Sequence, residues 1–166
     1  LTGSTLEGRE GDDLLSVNTL SNSEIDGGFG GRDTAFFGDL GTIDLSVLDL
    51  STGLDGFEMR EIEVLSIEDG AGDDTLTLSV DNVFDQSGSI DPLLDALFNG
   101  QTFGPMLSIN GDAGDTLALT DFNNYTQRAQ TEEVDGRTVN VFDYSAGGAG
   151  IDAILAVDQE VTVQSA

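Results

Sequence analysis

Glycine and aspartate cluster just before short segments in which apolar and polar residues alternate. The clearest case is the stretch 67–79, IEDGAGDDTLTLS, where four carboxylates within seven residues lead straight into an alternating segment. Similar junctions occur at Asp12, Asp33 and Asp115. Because glycine permits tight turns and a period of two places apolar side chains on one face of a strand, each junction predicts a turn followed by a β-strand.

The pair Asp-Thr recurs at equal spacing at Asp33, Asp74 and Asp115. The stretches between these pairs do not align with one another. We therefore interpret the recurrence as a repeated turn and not as the period of a propeller or solenoid.

Alternation predicts further strands in the segments 42–50, 62–67, 106–109, 138–142, 151–157 and 160–164. Helical signals are short and cover the segments 56–63, 79–85 and 91–98. In the last of these, Asp91 is a candidate N-cap and Pro92 suits the first helical position. The segments 87–105 and 122–137 are predicted to be insertions between strands, and such insertions often carry binding function.

The charge of the chain is one-sided. It has 32 acidic residues against 5 arginines and no histidine, which gives a net charge of −27. Divalent cations are the simplest source of the missing positive charge, because carboxylate oxygens suit Ca²⁺. Nucleic acid and anionic membranes are not expected as partners, since both require basic patches. No segment is apolar enough to insert into a membrane.

The Gly-Asp turns have the composition of a calcium site. Residues 70–77 fit the last part of the nonapeptide G-G-x-G-x-D-x-U-x, and the segments 8–16, 26–33 and 111–118 fit it approximately. We expect several Ca²⁺ ions, held by backbone carbonyls and by the carboxylates of Asp12, Asp13, Asp26, Asp33, Asp69, Asp73, Asp74, Asp112 and Asp115. Two alternatives stay open: solvated turns without metal, and a Ca²⁺ that also contacts a ligand.

Catalysis has little chemistry to draw on. The absence of histidine and cysteine removes nucleophile–histidine pairs, histidine and thiolate metal sites, and disulfides. Paired carboxylates could hydrolyse glycosides, but the chain has no Trp and only two Tyr as platforms for sugar rings. We therefore expect no enzyme and no catalytic residues.

The second insertion offers a candidate ligand-binding surface. Its arginine can grip a carboxylate with two hydrogen bonds, its amides can bond a peptide backbone, and its tyrosine offers amphipathic contact. The candidate residues are Asn123, Asn124, Tyr125, Gln127 and Arg128. The alternative is an exposed hairpin with its tyrosine tucked in.

At this point the sequence resembles the RTX proteins of Gram-negative bacteria, and in particular the repeat-rich modules near the secretion end of their large adhesins. The segments 25–30, 62–83, 108–117 and 134–142 carry the resemblance, in that order, over nearly the whole chain. Consecutive undegenerate repeats are absent. We therefore predict one mainly β domain over 1–166, excised from a larger protein: a compact, calcium-stabilised β-sandwich or short β-roll-like domain with a few short helices, rather than a long β-roll.

The resemblance implies export by type I secretion, folding on extracellular Ca²⁺, and a place at the bacterial cell surface. It further implies a monomeric adhesion module, with a role in cell adhesion and biofilm, that binds a peptide or protein C-terminus with help from Ca²⁺. Two rivals stay open: a structural spacer or cap that binds no ligand, and a calcium-dependent carbohydrate-binding module.

Overall fold

The computed structural model describes residues 4–20, 23–38, 40–48, 50, 57–70, 73–85, 90–98, 104–145 and 151–166. The strands, in chain order, are β1 Ser4–Glu7, β2 Leu14–Ser16, β3 Ser23–Asp26, β4 Thr34–Phe36, β5 Thr42–Asp44, β6 Phe57–Arg60, β7 Val64–Ser66, β8 Thr75–Leu78, β9 Met106–Asn110, β10 Thr116–Leu119, β11 Tyr125–Gln127, β12 Glu132–Val134, β13 Arg137–Tyr144, β14 Ala153–Asp158 and β15 Thr162–Ser165. The helices are α1 Val80–Asp85, α2 Pro92–Leu97 and a short 3-10 helix Phe122–Asn124. The prediction of a mainly β domain with a few short helices is confirmed.

The strands form three sheets that the chain visits in turn. Sheet 1 has the order β1-β3-β6, sheet 2 the order β11-β13-β14-β9-β7-β4-β2 with β12 beside β13, and sheet 3 the order β15-β10-β8-β5. All pairs are parallel except those that β13 makes with β11, β12 and β14. Successive passes of the chain therefore stack as coils. The spacing of the Asp-Thr pairs is not a fixed period, in agreement with the interpretation as a repeated turn, but the coils do stack, and the pairing is that of a roll-like arrangement.

The equal spacing of the three Asp-Thr pairs is not a structural period, because two different corners are involved. Asp33 precedes a strand of sheet 2, whereas Asp74 and Asp115 precede neighbouring strands of sheet 3. One coil of the latter pair also contains both α-helices. No constant period can appear in a chain whose coils differ in length, even though the strands themselves stack in register.

The main core lies between the three sheets. Inward-facing residues stack in rows, such as Leu6, Ile25 and Met59 in sheet 1, and Ile43, Leu76 and Leu117 in sheet 3. All of these except Leu6 are fully or almost fully buried, and the cluster they form extends from Leu15 to Val161. Burial of these rows holds the coils together.

One helix prediction is wrong. The segment 56–63 contains β6, in which Phe57 and Met59 are buried and Glu58 and Arg60 face outward. This is the period of a strand, and parallel pairing with β3 decides it. The segment predicted as a long strand, 42–50, is a strand only over β5, because Oδ1 of Asp44 accepts the backbone N–H of Ser46 and turns the chain.

The helices predicted in the segments 79–85 and 91–98 are confirmed as α1 and α2, and residues at their N-termini cap them. Asn82 and Ser79 exchange backbone-to-side-chain hydrogen bonds at the start of α1. Asp91 accepts the backbone N–H groups of Leu93 and Leu94 at the start of α2. Within the first predicted insertion, residues 87–89 and 99–103 lie outside the described residues.

A second, smaller core covers part of the outer face of sheet 2. Leu94 and Phe98 pack there with residues of β9, β12, β13 and β14. The strands β12 and β13 form a hairpin whose two loop residues, Asp135 and Gly136, have φ of 53° and 75°, as a type I′ turn requires. No helix among the described residues is long and apolar enough to cross a membrane.

Candidate functional site: two stacks of acidic turns

The Gly-Asp turns come together in two stacks. The first turn stack comprises residues 8–13, 27–33 and 61–63, which link sheet 1 to sheet 2 on successive coils. The second turn stack comprises residues 37–38 with 40–41, residues 67–70 with 73–74, residues 111–115 and residues 159–161, which link sheet 2 to sheet 3. The turns of each stack lie one above another because the strands that follow them pair in parallel register.

Glycine in the first turn stack allows successive backbones to approach closely. A Cβ at Gly27 would lie 1.9 Å from the carbonyl oxygen of Glu61, and one at Gly8 would lie 2.1 Å from the carbonyl oxygen of Gly27. Both positions therefore require glycine. The stacked carbonyl groups are oxygen donors brought close together along the stack.

The acidic residue at the end of each turn bonds the backbone of the neighbouring coil. In the first turn stack, Oδ1 of Asp33 accepts the backbone N–H of Asp13 at 2.8 Å, and Oε2 of Glu63 accepts that of Asp33 at 2.7 Å. Oδ2 of Asp13 turns back into its own turn and accepts the N–H of Arg9 at 2.7 Å. The carboxylates thus form a ladder of charge-assisted hydrogen bonds across the coils.

The second turn stack repeats this contact. Oδ1 of Asp115 accepts the backbone N–H of Asp74 at 3.0 Å, and its Oδ2 accepts that of Asp112 at 2.8 Å. Asp112 in turn accepts the N–H of Gly70 through Oδ2, at 2.8 Å. In both stacks, therefore, a carboxylate accepts a hydrogen bond from a backbone N–H of the neighbouring coil.

The central carboxylate of each stack lies in an unfavourable electrostatic environment. Burial raises the pKa of Asp33, as do the charges of Asp13, Asp12 and Glu61, while the hydrogen bond from the backbone of Asp13 lowers it. Burial likewise raises the pKa of Asp115. The charges of Asp112 and Asp69 add to that rise, and two backbone hydrogen bonds oppose it. Both side chains are buried, so solvent provides little relief.

The structure places eight of the nine predicted metal ligands in the stacks. Asp12, Asp13 and Asp33 lie in the first, and the second contains Asp69, Asp73, Asp74, Asp112 and Asp115. The ninth, Asp26, ends β3 and accepts the N–H of Gly28, beside the first stack. Asp12, Asp69 and Asp73 are exposed, whereas Asp33, Asp74 and Asp115 are buried.

The donor chemistry of the stacks fits calcium, since they present carboxylate and carbonyl oxygens and no nitrogen or sulfur ligand. The arrangement of acidic side chains is not by itself a cage. Within the part of the chain that the structure describes, no three acidic side chains converge as a group that could hold a metal ion. A calcium shell here would have to draw on the backbone carbonyls as well as the carboxylates.

Three acidic members of the first turn stack, Glu10, Glu61 and Glu63, were not among the predicted ligands. Glu63 is buried and completes the ladder, and Glu61 has a φ of 49°, a conformation that favours glycine. Glu63 directly precedes Val64, as Asp13 precedes Leu14 and Asp33 precedes Thr34. Alignment of the strands that follow, rather than a Gly-Asp pattern, could have found it.

The predicted ligand-binding residues divide into an exposed and an internal group. Asn123 and Asn124 in the 3-10 helix are exposed, as is Gln127 in β11, whose Nε2 donates to Oδ1 of Asn140 at 2.9 Å. Tyr125 is 9% exposed and its ring packs against that of Tyr144 in a tilted arrangement. Burial raises the pKa of Tyr125 well above its usual value.

Arg128 is engaged within the fold. Its guanidinium donates to both carboxylate oxygens of Asp143, with Nη2 at 2.7 Å from Oδ1, and lies 4.2 Å from the centre of the Phe98 ring. The segment forms a hairpin-like arrangement with β13, with Tyr125 packed inward. The exposed residues Asn123, Asn124 and Gln127 are thus the part of this set that faces solvent.

Comparison with known proteins returned no matching family model, no matching curated protein and no matching solved structure.

Proposed function

We propose that this chain is a calcium-dependent ligand-binding module of a large secreted adhesin of the RTX type, folded at the bacterial surface by Ca²⁺ in its two turn stacks. One observation carries the calcium part. Among the described residues, neither Asp33 nor Asp115 forms an ion pair with an arginine, although both are buried among other carboxylates that raise their pKa. A divalent cation would supply the missing counter-charge.

The arginines that form ion pairs support this assignment. Arg32, Arg60, Arg128 and Arg137 form ion pairs with acids other than Asp33 and Asp115. At a net charge of −27, self-repulsion opposes the compact state unless cations bind to it. Calcium that binds the folded chain and not the unfolded one would couple folding to the calcium concentration.

The calcium proposal predicts a large shift in melting temperature. Two ions, each at about 100 times its Kd, would add about 5 kcal/mol, which for a chain of this size corresponds to a rise of about 10–20 °C. The measurement is thermal unfolding in a chelator, in millimolar Ca²⁺ and in millimolar Mg²⁺. Equal melting temperatures in chelator and Ca²⁺ would refute the proposal.

Matched variants assign the effect to the stacks. Asp33→Asn and Asp115→Asn each remove one charge from a stack and should reduce the stabilisation by Ca²⁺. Asp81→Asn removes one charge from the exposed face of α1 and should leave it unchanged. If all three variants lose the same amount, Ca²⁺ acts as a diffuse counter-ion and not in the stacks.

The ligand part of the proposal is a peptide or protein C-terminus on a neighbouring cell. Its support is the exposed polar surface of Asn123, Asn124 and Gln127, together with the ability of Ca²⁺ to attract a terminal carboxylate. The test is a peptide array with free and amidated C-termini, beside a glycan array, each in Ca²⁺ and in chelator. Capture of free C-termini only, lost in chelator and weakened by Asn123→Ala or Gln127→Ala, supports the proposal.

A spacer is the second candidate, and one observation favours it. Tyr125 and Arg128, the two members of the predicted surface best suited to anchor a ligand, pack within the fold. A spacer built from stacked coils would need calcium for rigidity and no ligand. Stabilisation by Ca²⁺ with silence on both arrays would favour this reading, and capture of glycans alone would favour a carbohydrate-binding module.

A further inference from the structure

The second core, which covers part of the outer face of sheet 2, does not extend to the edge strand β2. Leu14, Thr34, Val64 and Ser108 form one row across β2, β4, β7 and β9. Val64 and Ser108 are buried, whereas Leu14 at the end of the row is 69% exposed. Because the side chain of Leu14 is apolar and faces outward, this end of the row is apolar surface that is left uncovered.

A cleft of about 460 Å³ lies beside the exposed end of this row. Its apolar wall combines Leu14 with Pro92 and Leu93 of α2, and Leu93 is itself 40% exposed. The remaining walls are polar and come from Asp12, Asp13, Arg32, Thr34 and Asp135. The cleft therefore joins an apolar surface to a charged one.

The arginine in this cleft is already neutralised. Nε of Arg32 donates to Oδ2 of the fully buried Asp91 at 2.9 Å, and its Nη1 lies 3.3 Å from Oδ2 of Asp135. Asp91 also accepts the hydroxyl of Ser108 at 2.6 Å. This network fixes Arg32 as a wall of the cleft and leaves it no charge to offer an anionic ligand.

Two carboxylates of the cleft have no such neutralisation. Oδ1 of Asp12 accepts the backbone N–H of Arg32 at 2.9 Å, and Oδ2 of Asp13 accepts that of Arg9 at 2.7 Å. In the described part of the chain, no arginine side chain pairs with either. The cleft is therefore net negative beside an apolar wall.

We propose that this cleft is a docking site for a protein segment that carries a leucine-sized apolar side chain next to a lysine or arginine. Charge complementarity selects the cation, because no arginine of the described residues pairs with Asp12 or Asp13. Ca²⁺ in the first turn stack would compete for the same charge, so binding should be tighter in chelator than in Ca²⁺. The apolar side chain would cover Leu14 and Leu93, which solvent now contacts. This proposal does not depend on the ligand-binding role of the second insertion.

The test uses a fluorescent peptide of alternating leucine and lysine and two matched peptides, one with glutamate for lysine and one with serine for leucine. Fluorescence anisotropy is measured at about 0.1 M salt, where long-range attraction is largely screened, in chelator and in Ca²⁺. The leucine–lysine peptide should bind at least about tenfold more tightly than either matched peptide. Absence of binding in both solutions would overturn the proposal.

Two pairs of variants separate the cleft from the acidic surface as a whole. Leu14→Gln and Asp12→Asn should each weaken binding about fivefold or more. Their controls are Val47→Gln, at a residue 74% exposed outside the cleft, and Asp81→Asn, an exposed acid of α1. The controls should change the Kd less than about twofold. Equal weakening by Asp12→Asn and Asp81→Asn would overturn the proposal, because it indicates unspecific attraction.

Discussion

The two turn stacks brace neighbouring coils with the same carboxylate contact but end in different ways. In the first, the ladder runs through three acids, from Asp13 to Asp33 to Glu63. In the second it runs from Asp74 to Asp115 and stops, because the equivalent residue on the next coil is Val161. The last position is thus an acid, Glu63, in the first stack and an apolar residue, Val161, in the second.

The backbone explains the difference. The N–H of Asp33 has a side-chain acceptor on the next coil, Oε2 of Glu63. The N–H of Asp115 is bonded within its own turn, by the carbonyl of Asp112 at 3.1 Å. Because a buried N–H must find an acceptor, an acid is needed at Glu63 and not at Val161. The acidity of these turns thus follows the hydrogen-bonding needs of the stacked backbone as well as any need for metal.

The largest expected difference between the stacks concerns a glycine that begins a turn in each of them, Gly27 in the first and Gly111 in the second. Gly27→Ala places a Cβ 1.9 Å from a backbone oxygen, that of Glu61, which cannot move without the coil. Gly111→Ala places its Cβ 2.6 Å from Cγ2 of Val161, a side chain that can be trimmed. We expect Gly27→Ala to lower the free energy of unfolding by about 3 kcal/mol or more, and Gly111→Ala by about 1–2 kcal/mol.

Urea unfolding at one fixed calcium concentration measures both changes. The double variant Gly111→Ala, Val161→Ala provides the control, since removal of the Val161 methyl groups makes room for the new Cβ. Its stability should exceed the sum expected from the two single variants. A Gly111→Ala cost equal to that of Gly27→Ala, with no coupling to Val161, would show that the stacks are packed alike.

The second difference concerns the number of backbone donors that each central acid satisfies. Asp115→Ala leaves two N–H groups without their acceptor, those of Asp74 and Asp112, whereas Asp33→Ala leaves one, that of Asp13. In chelator we expect losses of about 2–4 kcal/mol and about 1–2 kcal/mol, respectively.

The asparagine variants sharpen this test. Asn at position 33 keeps one acceptor for one donor and should be mild. Asn at position 115 keeps one acceptor for two and should recover only part of the loss. Equal losses for Asp33→Ala and Asp115→Ala would mean that these hydrogen bonds do not set the stability of the stacks.

The sequence predicted the fold best where a strand follows a Gly-Asp turn. The segments that begin at Leu14, Thr34, Thr75 and Thr116 are strands, and both capped helices occur within the predicted segments 79–85 and 91–98. The sequence left open whether the domain is a sandwich or roll-like, because pairing between coils is a long-range property and unequal coil lengths hide its period. The segment 56–63 was misread because eight residues cannot distinguish a strand buried on one face from a short helix.

The candidate site was predicted in part for a similar reason. The Gly-Asp pattern located eight acids in the two stacks, since turn chemistry is local. Glu63 was missed because its role depends on the neighbouring coil. For Arg128, composition could indicate the capacity to grip a carboxylate, but only the register of β11 with β13 identifies Asp143 as one that it grips.

The smallest expected difference is in the pH dependence of stability without metal. The folded state raises the pKa of Asp33 and Asp115 above the unfolded value, so the folded chain binds more protons between the two values. Stability therefore falls as pH rises through that window, and the full penalty applies above the folded pKa. In chelator, the melting temperature should rise as the pH is lowered from neutral through the raised pKa of these groups toward the ordinary value of 3.8.

The two stacks should contribute unequally to this slope. Two backbone N–H groups stabilise the charged form of Asp115, whereas one stabilises that of Asp33. Asp33→Asn should therefore flatten the profile more than Asp115→Asn, and Asp81→Asn should leave it nearly unchanged. Calcium binds the deprotonated carboxylates, so saturating Ca²⁺ should reverse the slope in the parent chain. A profile that rises toward neutral pH in chelator would show that hydrogen bonds to the carboxylates outweigh their repulsion, and that the stacks are stable without a cation.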